Sequence, residues 1–166
     1  MITTVISGGQ TGVDRAALDI ALELGIDHGG FCPKGRLAED GPIPLIYNLK
    51  ETGSKSYQYR TEKNVLAATG TLLLYRGPFV SGGTLLTKSY ADRHKKPLIP
   101  YELIGEPGIG LISQVMISQF CNWATEHNIK TLNVAGPRES KFPGAYLMAK
   151  GYLRLFLIYH NKLGNS

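Results

Sequence analysis

The chain has 166 residues, 43% of them hydrophobic, enough for one domain with a full core and too few for two ordinary ones, so residues 1–166 are expected to form a single domain. No run reaches the roughly 20 apolar residues of a membrane span, residues 1–6 (MITTVI) lack the basic region and the length of a secretion signal, and Cys32 and Cys121 stand far apart without a CxxC. These features argue against a membrane protein, a disulfide framework and a cysteine metal centre, and the expected compartment is the cytoplasm. The formal charge of +5, spread along the chain, suits an anionic partner; on charge alone nucleic acid fits as well, and the expected partner is a small phosphorylated ligand in preference to nucleic acid.

Residues 3–7 (TTVIS) form a β-branched run that stops at Gly8-Gly9, which predicts a buried strand. From Gly12 the period becomes helical: Val13, Ala17, Ile20, Ala21 and Leu24 share a face, and Gly25 stands where such a helix ends. Residues 28–32 (HGGFC) predict a weaker strand. Residues 33–57, rich in Gly, Pro, Lys and Ser, have no sustained period; a segment of that length without regular structure is unusual in a compact domain and reads as a lid. Residues 60–68 predict a short helix closed by Gly70, and residues 71–75 (TLLLY) a second apolar strand.

Ser81-Gly82-Gly83-Thr84 then opens a helix through Arg93, so the arrangement of strand, glycine turn and helix occurs twice. The basic run Arg93-His94-Lys95-Lys96 falls at a helix end before Pro97, where cations gain about 0.3–1 kcal/mol. Residues 97–101 predict a strand, and residues 109–126 a helix with a core stripe of Ile112, Val115, Met116, Phe120 and Trp123. Residues 131–135 (TLNVA) predict the last strand, ending at Gly136-Pro137-Arg138, and residues 145–161 a terminal helix apolar on most faces. Strands alternating with helices imply an α/β fold: a single Rossmann-like three-layer domain whose doubly wound, mainly parallel sheet carries helices on both faces.

In such a sheet ligands bind outside the carboxyl ends of the strands, and all three glycine turns lie on that edge. If the strand at residues 71–75 neighbours the first one, Gly8-Gly9 and Gly82-Gly83 face a common crevice, each offering backbone N–H groups that no Cβ shields. A helix N-terminus contributes about 0.3–1 kcal/mol, whereas micromolar binding needs roughly 8 kcal/mol. Charged hydrogen bonds at about 1.5–3 kcal/mol each must add to it, and Arg15, Arg60, Arg76 and Arg138 sit beside the edge. Ser7, Gln10, Thr11, Ser81 and Thr84 offer further polar groups for phosphate or ribose. Neither GxGxxG nor GxxxxGK[ST] occurs, which argues against the usual NAD site and against nucleoside triphosphate hydrolysis.

Among the carboxylates, Asp14 is either a first-turn acid or part of the site, and Glu39-Asp40 and Glu62 are candidates for acid and base work if the fold brings them together. His28 and Cys32 have no third ligand nearby, and His94, His127 and His160 lie near helix ends. No protein-ligated metal is expected.

Five blocks, ISGGQTGVDRAALD at residues 6–19, GGFCPKGRLAEDG at 29–41, YRTEKNV at 59–65, SGGT at 81–84 and NVAGPRES at 133–140, make the chain similar to the molybdenum carrier family. That family lies within the Rossmann-like superfamily that also holds the Lonely Guy phosphoribohydrolases and the molybdenum-cofactor carriers. The resemblance implies molybdenum cofactor, or another phosphorylated pterin or nucleotide-like ligand, as bound cargo. It would lie on Ser7, Gly8, Gly9, Gln10, Thr11 and Gly12 and on Ser81, Gly82, Gly83 and Thr84, beside Asp14, with Arg15 and Arg138 neutralising charge. The resemblance also implies a homodimer or homotetramer. The phosphoribohydrolases place a glutamate three residues after the threonine of the second turn; here that residue is Thr87. A binding protein is therefore the expected class, and the alternative is a hydrolase that cleaves an N-glycosidic bond with Asp40 or Glu62 as acid and base.

Overall fold

The computed structural model describes residues 1–77, 82–106, 109–110 and 112–164. The first unit is β1 (Thr4–Ile6), α1 (Val13–Glu23) and β2 (Asp27–Gly29). The expected strand over residues 28–32 splits at Gly30, where the backbone passes against that of Ser7, and resumes as β3 (Phe31–Cys32). Three short strands, β4 (Leu37–Ala38), β5 (Gly41–Pro42) and β6 (Lys50–Glu51), occupy the segment expected to be irregular. β4 pairs antiparallel with β5, and β6 parallel with β3. Arg36 organises the segment by donating to the carbonyls of Ile43, Pro44, Tyr47 and Leu49, while Ile43, Tyr47 and Leu49 bury against Leu18 of α1.

The remaining elements are α2 (Tyr57–Ala67), β7 (Gly70–Tyr75), α3 (Gly82–Arg93), β8 (Leu98–Glu102), β9 (Gly105–Glu106), β10 (Ile109–Gly110), α4 (Gln114–Glu126), β11 (Thr131–Ala135) and α5 (Ala145–Leu163). Helix α4 begins five residues later than its hydrophobic pattern predicts. Ser113 caps it by accepting from the Met116 N–H at 3.2 Å, and Ile109–Gly110 pairs with β9. The buried stripe is also rotated: Ile117, Phe120, Cys121 and Ala124 face the core, whereas Val115 is 64% exposed.

The five long-range strands form one parallel sheet in the order β2-β1-β11-β7-β8. β7 is therefore not the neighbour of β1; β11 lies between them. Its residues Leu132, Asn133 and Val134 are buried, as a central strand covered on both faces requires. Counting β11 and α5 as the first unit instead of the last turns the order into 3-2-1-4-5, the doubly wound arrangement of dinucleotide-binding domains. The chain ends meet accordingly: the Ile2 N–H donates to Asn161 Oδ1 at 3.0 Å, and Asn161 Nδ2 to the Ile2 carbonyl at 3.1 Å. Helices α1, α4 and α5 share the main core on one face of the sheet, and α2 packs on α3 around Val65, Tyr90 and Ala91 on the other. No helix among the described residues is long and apolar enough to cross a membrane.

His160 of α5 is 3% exposed, set edge-on to Phe120, and neither ring nitrogen has a hydrogen-bond partner among the described residues. Burial, aided by the positive charge of Lys130, pushes its pKa below the ordinary value. The folded chain thus disfavours the proton that the unfolded chain takes up near pH 6.5, and stability falls as pH drops through that value. We expect the melting temperature of His160→Leu to fall less than that of the parent between pH 7.5 and 5.5; equal slopes in thermal melts would show that His160 does not titrate in this window.

Candidate functional site

The turn after β1 spends its own N–H groups. Ser7, fully buried, donates its hydroxyl to the Asp14 carbonyl at 2.8 Å and accepts the Gly9 N–H at 3.3 Å. The Gln10 N–H reaches Asp14 Oδ2 at 3.4 Å, the Thr11 N–H reaches Gln10 Oε1 at 3.0 Å, and the Val13 N–H is taken by the Pro137 carbonyl at 3.2 Å. The anion expected at the start of α1 is therefore present already, as the carboxylate of Asp14.

Asp14 is held from across the cleft by Arg60 of α2, whose Nη1 lies 3.0 Å from Oδ2, with both side chains nearly buried. Burial pushes the Asp14 carboxyl above the usual range, against the opposing pull of Arg60 and of the Gln10 and Gly8 N–H groups. Gly8 is required by this pair: a Cβ there would lie 1.7 Å from Arg60 Nη1. The side chain that Gly8 lacks makes room for a protein guanidinium.

The turn before α3 is built differently. Gly82 has φ 75°, and Cβ atoms added at Gly82 or Gly83 would meet nothing among the described residues within 4 Å. The N–H groups of Gly83 and Thr84 meet no acceptor among the described residues. Ser81, expected in this cradle, lies outside the described residues. Thr87 is buried and gives its hydroxyl to the Gly83 carbonyl at 2.8 Å. Facing this helix start is the turn after β11, where the Arg138 guanidinium lies 5.6 Å from the Tyr57 ring and 3.8 Å from Glu39.

Between these parts runs a cleft of about 810 Å³. It brings together Gly8, Gln10, Asp14, Arg60, Gly82, Gly83, Thr84 and Arg138 of the expected residues, adding Tyr57 and Lys141. Ser7, Gly9, Thr11, Gly12 and Arg15 do not line it, and no residue of 33–56 does. Arg15 is committed elsewhere: its Nε donates to the Gly9 carbonyl at 3.2 Å and its two terminal nitrogens to Asp40. Glu62 is paired with His94 at 2.8 Å and Arg93 at 3.8 Å. Asp40 and Glu62 are thus engaged in separate ion pairs, and neither lines the cleft. Arg76 donates to the Leu103 carbonyl at 2.5 Å, also outside it.

Glu39 was a general acid or base candidate, and its position gives it different work. Its carboxylate accepts from Thr11 and from the backbone and hydroxyl of Ser140, fastening the 33–56 segment to two cleft turns. Burial opposes its charge, but these hydrogen bonds and Arg138 outweigh that and hold its pKa below the usual value. Tyr57 and Lys141 carry no motif that marks them in advance; only the packing of α2 and the β11–α5 turn brings them to the cleft. Among the described residues no group of three or more His, Cys, Asp or Glu is arranged to hold a metal ion.

With this geometry established, similar proteins can be compared. The profile of the circularly permutated YpsA SLOG family matches residues 5–157. A crystal structure from Syntrophus aciditrophicus SB, described as a "putative molybdenum carrier protein", is 42% identical, with a TM-score of 0.82 over 94% of this chain and 95% of that one. No curated protein matches the chain.

If Gly8 exists to admit Arg60, Gly8→Ala should destabilise the protein by about 1–3 kcal/mol through overpacking, and by clearly less in an Arg60→Ala background. Chemical denaturation of both single variants and the double variant measures this coupling; additive effects would contradict the steric account.

Proposed function

The chain belongs to the circularly permutated YpsA SLOG family, and from that membership and the chemistry of the cleft we propose that it is a binding protein of the molybdenum-carrier type, holding a phosphorylated pterin or nucleotide-like ligand. The observation that carries this reading is the open start of α3, where the Gly83 and Thr84 amides meet no acceptor among the described residues and share a cleft with Arg138 and Lys141. Amides at a helix N-terminus attract anions, and two charged donors at about 1.5–3 kcal/mol each bring the total toward micromolar affinity. The phosphate then rests on Gly82, Gly83 and Thr84, not on the turn at Gly8 and Gly9, which Asp14 already fills.

The printed name of the Syntrophus protein supports molybdenum as part of the cargo. The donors lining this cleft are N–H groups and cations, which suit an oxyanion or a phosphorylated pterin better than a bare cation. Binding is favoured over turnover because the carboxylate named at the cleft, Asp14, is tied to Arg60, and Thr87 stands where the phosphoribohydrolase glutamate would act.

Mass spectrometry of small molecules released by denaturing the purified protein, with metal analysis of the same sample, tests the proposal. We expect a stoichiometric phosphorylated ring compound from the parent. Gly83→Val, whose Cβ meets nothing among the described residues within 4 Å, should fold normally and lose it. The proposal is overturned if the variant retains the compound, or if the parent is empty and no phosphorylated nucleotide or pterin raises its melting temperature.

A further inference from the structure

Two residues that line the cleft each carry a buried donor with no acceptor among the described residues. Gln10 is 5% exposed; its Oε1 accepts from the Thr11 and Glu39 N–H groups, which fixes the orientation of the amide and leaves Nε2 without a partner. Arg60 pairs with Asp14 through Nη1, and its Nε is likewise buried without a partner. Buried donors are normally satisfied, so two at one place ask for an acceptor from outside the chain. Between them stands Asp14, whose Oδ2 takes both Arg60 and the Gln10 N–H and whose Oδ1 keeps acceptor capacity.

Resting on the phosphate reading above, we infer that Gln10, Arg60 and Asp14 read the ring of the ligand, and that this ring carries an amino-oxo-pyrimidine edge. Such an edge presents a carbonyl, a ring N–H and an exocyclic amine in a row. The carbonyl oxygen, with two lone pairs, accepts from Gln10 Nε2 and Arg60 Nε, and the ring N–H and the amine donate to the Asp14 carboxylate. An adenine edge has no carbonyl: the single lone pair of the ring nitrogen beside its amine meets at most one of the two buried donors, and it offers the carboxylate one N–H group in place of two. The cleft is lined by a carboxylate on α1 flanked by donors of the turn before it and of α2, by the amides at the start of α3, and by Arg138 and Lys141 of the turn after β11. Guanine nucleotides and pterins share this edge, so the ligand is a monophosphate of one or the other, with its ring toward α1 and its phosphate toward α3.

Calorimetric titration of the parent protein with GMP, neopterin monophosphate, IMP, AMP and inorganic phosphate tests the assignment. IMP keeps the carbonyl but lacks the amine. We expect GMP or neopterin monophosphate, whichever is the source, to bind about tenfold or more tighter than IMP and AMP, the difference one hydrogen bond to a charged group makes. Asp14→Asn should erase that preference and leave inorganic phosphate binding within about twofold, since the phosphate sits elsewhere. Should that variant fail to fold, the ligand series on the parent decides alone. Equal affinity for all four monophosphates overturns the edge assignment and leaves the phosphate reading standing, whereas failure of every phosphate compound to bind overturns both.

Discussion

The contact between Asp14 and Arg60 sets the terms for everything else in the cleft. Taking a carboxylate and a guanidinium out of water costs several kcal/mol per ion, and a 3.0 Å hydrogen bond and the Gln10 N–H on the same oxygen offset part of it. Three consequences follow from its placement. Glycine at residue 8 leaves the pair undisturbed, because the guanidinium occupies the space a Cβ would take. α2 is tied to the start of α1 across the sheet edge. The first glycine turn holds an internal anion, which is why the proposed phosphate site is the start of α3.

The sheet order brings the parts of the cleft together. With β11 between β1 and β7, the turn that carries Arg138 emerges between the turn of Gly8 and the start of α3. This is the switch point of a doubly wound sheet, where the strands on either side lead away in opposite directions and leave a crevice. The permuted connection alters the chain path and keeps that geometry, since the joined ends lie away from the strand tips, held by Ile2 and Asn161. Glu39 completes the rim by binding Thr11 and Ser140 at once, so the 33–56 segment acts on the cleft by holding its turns, without lining it.

The layers and most elements were legible because apolar runs such as TLLLY and TLNVA and the helical spacing of Val13, Ala17 and Ile20 are local signals that burial reinforces. Sheet order was not, because whether β1 pairs with β7 or β11 depends on contacts more than sixty residues apart, which no local pattern encodes. The true start of α4 was visible in principle in Ser113, a good N-cap, but the apolar residues before it continued the helical spacing and masked it. The glycine turns marked the right edge of the sheet, yet the same glycines admit a phosphate or a protein side chain. Gly8 and Gly83 look alike in sequence; in the fold one faces Arg60 and the other open space. Asp40 and Glu62 were chosen as carboxylates in plausible places, and ion pairs formed by distant arginines and a histidine decided their roles.

A crystal structure of the protein grown with GMP or neopterin monophosphate tests the central claim most directly. The account predicts phosphate oxygens within hydrogen-bonding distance of the Gly83 and Thr84 N–H groups and of Arg138, with the pair of Asp14 and Arg60 intact beneath the ring. Phosphate seated in the turn of residues 8–12, with the Asp14 carboxylate displaced from it, would contradict the account.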